Sequence, residues 1–192
     1  NFEFEYNAEP KIDGISASLI YKKGKLIQGL SRGDGEEGED ITVNLKTIKD
    51  IPSNIIHKDF PEEIDIRGEV FINTNDFKKI EKDFANPRNA ASGSLRQKDP
   101  KKTELIPLKF IAYTFGFNSG MKSNKQSDFI KDLNRWGFKT SELNKTIKGI
   151  DNLIKYHSDI EKKRFSLNYD IDGIVYKVND FSLQKRLGFM AT

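Results

Sequence analysis

Two apolar, β-branched runs at residues 15–21 and 26–30 are separated by only four residues, Lys22-Lys23-Gly24-Lys25. A link that short closes a hairpin and cannot hold the crossover that parallel strands require, so the chain opens antiparallel. Further strands follow from the side-chain period. Residues 64–72 set Ile66, Val70 and Ile72 against Arg67, Glu69 and Phe71, which puts Arg67 and Glu69 on one face, and residues 108–117 and 172–178 are apolar runs of strand length. Helices are predicted over 39–49, where Ile41, Leu45 and Ile48 recur at helical spacing after an acidic first turn, over 76–83, and over the amphipathic stretches 127–136 and 150–163. Residues 84–100, rich in Asn, Ser, Gly and Pro around two arginines, read as a functional loop. Strands and helices mixed irregularly after a hairpin fit an α+β domain better than a doubly wound parallel sheet. The 192 residues read as one compact unit, with no internal repeat or flexible linker.

Composition narrows the chemistry. The absence of cysteine excludes disulfides, thiolate metal sites and a Cys nucleophile, and two distant histidines, His57 and His157, make an imidazole metal site a poor candidate. No apolar run approaches the roughly 20 residues that span a bilayer, so the expectation is a cytoplasmic protein with no membrane partner. Thirty-two cations against 29 anions leave a net charge of +3, which permits a basic patch without demanding one.

Several short constellations carry chemistry. Glu9-Pro10-Lys11-Ile12-Asp13-Gly14 places a lysine and an aspartate two apart, on one face of an extended segment, with Gly14 allowing close backbone approach. An amine attacks phosphorus only when deprotonated, and Arg32, Lys177 or a metal ion could favour that form. Residues 33–38, GDGEEG, satisfy the dinucleotide pattern G-x-G-x-x-G, but the strand before them belongs to a hairpin and five acidic residues around them would repel a pyrophosphate. They read instead as an acidic turn that orients Arg32. Glu69 could bond a ribose hydroxyl, and residues 84–97, FANPRNAASGSLRQ, suit phosphate contacts. Asp172 and Lys177 sit in one strand, but strict alternation puts them on opposite faces; a shared site needs a bulge at Gly173 or Asp172 ahead of the strand. Tyr113, in an apolar aromatic strand, could stack on a base, but an aromatic in such a strand is more often a core residue.

Taken in order, these segments resemble the nucleotidyltransferase motifs of NAD-dependent DNA ligases. K-I-D-G at 11–14 is shared with ATP-dependent ligases and capping enzymes, whereas SRGDGEEGEDITVNLKTIKDIP and FANPRNAASGSLRQ resemble the NAD-dependent family and argue against an ATP-using relative. A catalytically inert adenosine-binding module is the other alternative. The resemblance implies an α+β fold of twisted antiparallel sheets flanked by helices, with NAD as AMP donor, Mg²⁺ as metal and nicked double-stranded DNA as partner. It implies Lys11 as the residue that takes AMP, with Asp13 and Asp172 needed for nucleotidyl transfer and Asp172 a ligand of the metal. Glu9, Arg32 and Glu69 match positions contacting adenosine and its phosphate, Tyr113 the aromatic stacked on adenine, and Lys177 a phosphate-contacting lysine. Arg88, Arg96 and Arg164 match arginines linked to nick joining and DNA-phosphate contact. Residues 80–84 run shorter than is usual in the family. The sequence stops at LGFMAT, ahead of the family's last lysine-bearing motif, so the expectation is an adenylation domain over 1–192, truncated there and lacking the N-terminal mononucleotide-binding, oligonucleotide-binding, zinc, helix-hairpin-helix and BRCT regions. Such a domain is expected to be monomeric, bacterial and nucleoid-associated, and only partly competent alone.

Overall fold

The alternation read from the sequence is realised as two four-stranded antiparallel sheets. A computed structural model describes residues 4–32, 38–187 and 189–191. The strands are β1 (Glu5–Ile12), β2 (Ile15–Lys22), β3 (Lys25–Ser31), β4 (Glu63–Ile72), β5 (Leu108–Asn118), β6 (Lys145–Lys148), β7 (Ile171–Val178) and β8 (Phe189–Ala191). One sheet has the order β3-β2-β4-β5 and the other β6-β1-β7-β8. The expected hairpin is β2–β3, turning at Lys23-Gly24 with both residues at positive φ. Only glycine takes that conformation without strain, and a Cβ on Gly24 would lie 2.2 Å from the Ile55 carbonyl oxygen.

Each sheet buries one face on its own core. Ala17, Leu19 and Tyr21 of β2, with Ile64, Ile66, Val70 and Ile72 of β4, pack on the larger core beneath the first sheet. That core is closed by α5 (Gln126–Arg135), whose Phe129, Ile130 and Leu133 are buried, and by edge-to-face contacts among Tyr21, Phe60, Trp136 and Phe138. The smaller core joins Ala8, Ile171, Ile174 and Tyr176 to Tyr156 and Ile160 of α6 (Ile150–Lys163). The opposite faces, polar on alternate residues, look toward each other and make the site.

Three expectations need correction. Residues 39–49 form only one helical turn, α1 (Thr42–Leu45). Ile41 is held to the hairpin by its amide bond to the Gly29 carbonyl, and the Asp40 carboxylate accepts from the Thr42 amide and hydroxyl, so the acidic first turn caps a short helix instead of extending it. Ile41, Leu45 and Ile48 are buried all the same. Residues 84–100 are not a loop. They hold α3 (Pro87–Leu95) and lead into α4 (Pro100–Glu104), after a single-turn α2 (Thr74–Phe77) that starts earlier and ends sooner than the expected 76–83. Asn86 caps α3 by accepting from the Asn89 amide at 2.8 Å, Pro87 occupies its first position, and Ala90, Ala91, Ser94 and Leu95 face inward. A last helix, α7 (Phe181–Leu187), follows β7. Among the described residues no helix is long and apolar enough to cross a membrane.

Candidate functional site

β1 and β2 are joined by Asp13-Gly14 alone, and this short link brings the polar faces of the two sheets together. A Cβ on Gly14 would meet the Val70 carbonyl oxygen at 2.2 Å, so the chain passes β4 at a separation only glycine allows. The cleft between the sheets is lined by Glu9, Pro10, Lys11 and Ile12 from β1, Ser16 from β2, Glu69 from β4, Ile111 and Tyr113 from β5, Ser141, and Val175 from β7. Residues far apart in sequence thus meet, Glu9 and Lys11 from one face of β1 with Ser16 and Glu69, paired across β2 and β4. A larger cleft lies on the other side of Ile111, between Phe71, Lys109 and Tyr169, and none of the expected site residues lines it.

Lys11 stands at the exposed end of β1, its Nζ 4.0 Å from Asp172 Oδ2. The pairing depends on a register slip. Lys11 is opposite Gly173 but Ile12 is opposite Ile171, so Asp172 is the extra residue of a bulge. That bulge resolves the alternation problem: Asp172 turns to Lys11, while Lys177, further along β7, points into the cleft. Asp13 lies at the same mouth, 3.9 Å from Arg88 Nη1. Its carboxyl is raised above the usual aspartate range, first by desolvation and then by the charge of Asp172.

Deeper in, charges are buried. Glu9 is 5% exposed and Lys177 8%. Burial raises the Glu9 carboxyl and depresses the Lys177 ammonium, and each is partly restored by the charge of the other. Asn144 Nδ2 donates to Glu9 Oε2 at 3.3 Å and to Asn7 Oδ1 at 2.9 Å, and Asn7 Nδ2 donates back to Asn144 Oδ1 at 3.0 Å. Lys177 Nζ sits 5.5 Å from the centroid of the Tyr113 ring, a cation–π contact. The Ser16 hydroxyl donates to Glu69 Oε2 at 2.9 Å. Burial lifts Glu69 to about 7 and the Tyr113 hydroxyl to about 12. Ser16, Asn7 and Asn144 were not anticipated. Ser16 could have been found by parity, since it faces Glu69 across β2 and β4; nothing local marks Asn144.

The remaining expected residues fall around the rim. Arg32 is exposed, with Nη1 3.4 Å from Ser18 Oγ, and of the acidic turn 33–38 expected to orient it, residues 33–37 lie outside the described residues. Arg88 is at the Lys11 mouth. Arg164 donates to the Ile171 carbonyl at 2.8 Å, one residue from Asp172. Arg96, at the far end of α3, instead faces Glu39 at 3.5 Å. Among the described residues no three carboxylate or imidazole groups are placed to hold a metal. Asp13 and Asp172 do offer two neighbouring hard-oxygen donors, which fits Mg²⁺, an ion that takes one or two carboxylates and completes its shell with water and substrate phosphate.

Residues 1–192 match the family described as NAD-dependent DNA ligase adenylation domain. The chain is 67% identical over 187 residues to a DNA ligase of Pelagibacter ubique, covering 97% of this chain and 28% of that protein. It is 49% identical to a DNA ligase of Bartonella tribocorum, covering 97% and 27%. The chain therefore spans somewhat over a quarter of the length of these relatives. Among solved structures, mycobacterial DNA ligase D complexed with ATP and MES aligns with a TM-score of 0.53 at 14% identity, over 92% of this chain and 49% of that one. The ATP-dependent DNA ligase of bacteriophage T7 with ATP aligns at 0.50 and 16%, over 92% and 57%. At such identities the likeness concerns the fold, the α+β nucleotidyltransferase arrangement of antiparallel sheets and helices expected from the sequence.

Proposed function

The chain belongs to the family of NAD-dependent DNA ligase adenylation domains, and from that premise we propose that its cleft binds the adenylate half of NAD and that Lys11 takes AMP from it. The observation that carries this reading is the convergence of Glu9, Lys11, Glu69 and Tyr113 on one cleft, with the Lys11 amine at its mouth beside Asp172 and Asp13. Adenine stacks on Tyr113, the position now covered by Lys177, and Glu69 accepts from a ribose hydroxyl. Arg32 and Lys177 offer cations to the nucleotide. The deprotonated Lys11 Nζ attacks the α-phosphorus, a P–N bond forms, and the P–O bond to nicotinamide mononucleotide breaks, its electron pair leaving on the phosphate oxygen. Asp13 and Asp172 would hold Mg²⁺, which supplies charge neutralisation at the phosphates.

The same reading extends to a sealing reaction of use in replication and repair in a bacterial cytoplasm. AMP passes from Lys11 to the 5′-phosphate at a nick, and the 3′-hydroxyl then attacks that phosphate and expels AMP. Arg88, Arg96 and Arg164 contact the DNA phosphates. Incubation of the full-length protein with NAD and Mg²⁺ followed by intact-mass measurement tests the first step. The expected result is one AMP added to the wild type and none to Lys11→Ala. Retention of the adduct in Lys11→Ala, or reversible adenosine binding with no adduct in the full-length protein, would overturn it.

A further inference from the structure

Phe165 is 95% exposed, in the 3-10 turn Arg164–Ser166 that ends α6. A phenyl ring left in water contributes nothing to folding, yet its turn is firmly built. Arg164 Nη2 donates to the Ile171 carbonyl at 2.8 Å, its Nη1 lies 3.7 Å from Glu161, and Ser166 Oγ donates to the Lys163 carbonyl at 2.8 Å. Lys162 and Lys163 are exposed just before the turn, separated from Phe165 by Arg164. The turn also borders the site: Ile171 precedes Asp172, the partner of Lys11. Downstream, the Asn168 carbonyl and side-chain oxygens accept from the Thr74 and Asn75 amides at the start of α2, which packs against the helix bearing Arg88.

Resting on the reading of the chain as a ligase domain, we infer that Lys162, Lys163 and Phe165 form a contact for the nicked duplex, the lysines on successive phosphates and the ring against the deoxyribose edge of the minor groove between them. A partner that satisfies two cations and an apolar ring within four residues must present regularly spaced anions flanking an apolar surface, and duplex DNA does so. Phosphate contacts give affinity that falls with salt, whereas an apolar contact is insensitive to it, so the two halves of the patch are separable.

The test uses the full-length protein, a nicked duplex and a titration of salt. Phe165→Ala is expected to weaken nicked-duplex binding at least about fivefold, the lower end of what an aromatic contact to nucleic acid is worth, with the salt slope unchanged. Phe165→Trp should restore it. Lys162→Ala with Lys163→Ala should instead reduce the magnitude of the salt slope by about two. Adenylation of Lys11 by NAD should be unchanged in every variant. Binding of Phe165→Ala within twofold of wild type overturns the inference, as does a fall in its Tm without loss of DNA affinity, which would mean that another part of the protein covers the ring. A wild type that neither takes AMP nor binds nicked duplex would bring down the underlying reading as well, and that outcome is visible before any variant is made.

Discussion

At Glu69 burial and chemistry pull in opposite directions. Its carboxyl is lifted to about 7 by desolvation, although the Ser16 hydroxyl and the Gly14 amide favour the charged form. Below the unfolded pKa of about 4.5 both states are protonated and the group costs nothing. As pH rises the unfolded chain releases its proton first, so native stability is lost until the folded group also ionises, near 7, by an amount on the order of 3 kcal/mol. Glu69→Gln, the neutral isostere, is therefore expected to melt higher than wild type at pH 8, and the gap to shrink toward pH 5 in thermal melts. A gap of constant size would remove burial as the cause. A buried carboxylate kept in a cleft at such a cost marks a candidate binding position. The sequence made Glu69 and Lys11 legible because each sits in a short motif on a strand. It left open whether Asp172 and Lys177 could share a site, because a bulge depends on cross-strand register that no local pattern records. Asn144 was illegible for a related reason: its bonds to Glu9 and Asn7 cross more than 130 residues.

Among the elements, strands and long helices were readable and short ones were not. The period of β4 and the amphipathic face of α6 persist over enough residues to define themselves, whereas β6, with four residues, owes its existence to pairing with β1. The misreading of α3 has a different origin. Its Asn, Ser and Gly content resembles a loop, but Asn86-Pro87 is a helix-start signal, and Ala90, Ala91 and Leu95 supply a narrow buried stripe. Helix propensity along such a sequence is weak, so the cap should matter. Asn86→Ala is expected to lower stability by about 1 kcal/mol in urea unfolding, with Asn86→Ser or Asn86→Asp close to wild type. Because Arg88 stands two residues into this helix, the cap also fixes where that cation meets Asp13. An Asn86→Ala variant as stable as wild type would mean that packing alone holds the helix.

Across the whole molecule the cleft divides two cores of unequal size, and the residues proposed to hold the nucleotide are divided with it: Glu9, Lys11 and Lys177 lie on the sheet above the smaller core, Glu69 and Tyr113 on the sheet above the larger. Less apolar burial makes the β6-β1-β7-β8 sheet the part expected to open at lower free energy. Hydrogen exchange should accordingly find the amides of β1 and β7 less protected than those of β2 and β4. A ligand that touches both sheets binds only when the smaller one is closed, so AMP must suppress its opening by mass action, up to about 100-fold at a concentration 100 times Kd. The gain should be concentrated in β1 and β7, because exchange in the larger sheet that proceeds without breaking the cleft is untouched by ligand. Equal gains in β1 and β4 would show instead that the two sheets open as one unit. Protection that rises only in β4 and β5 would place the nucleotide on one sheet and away from Lys11.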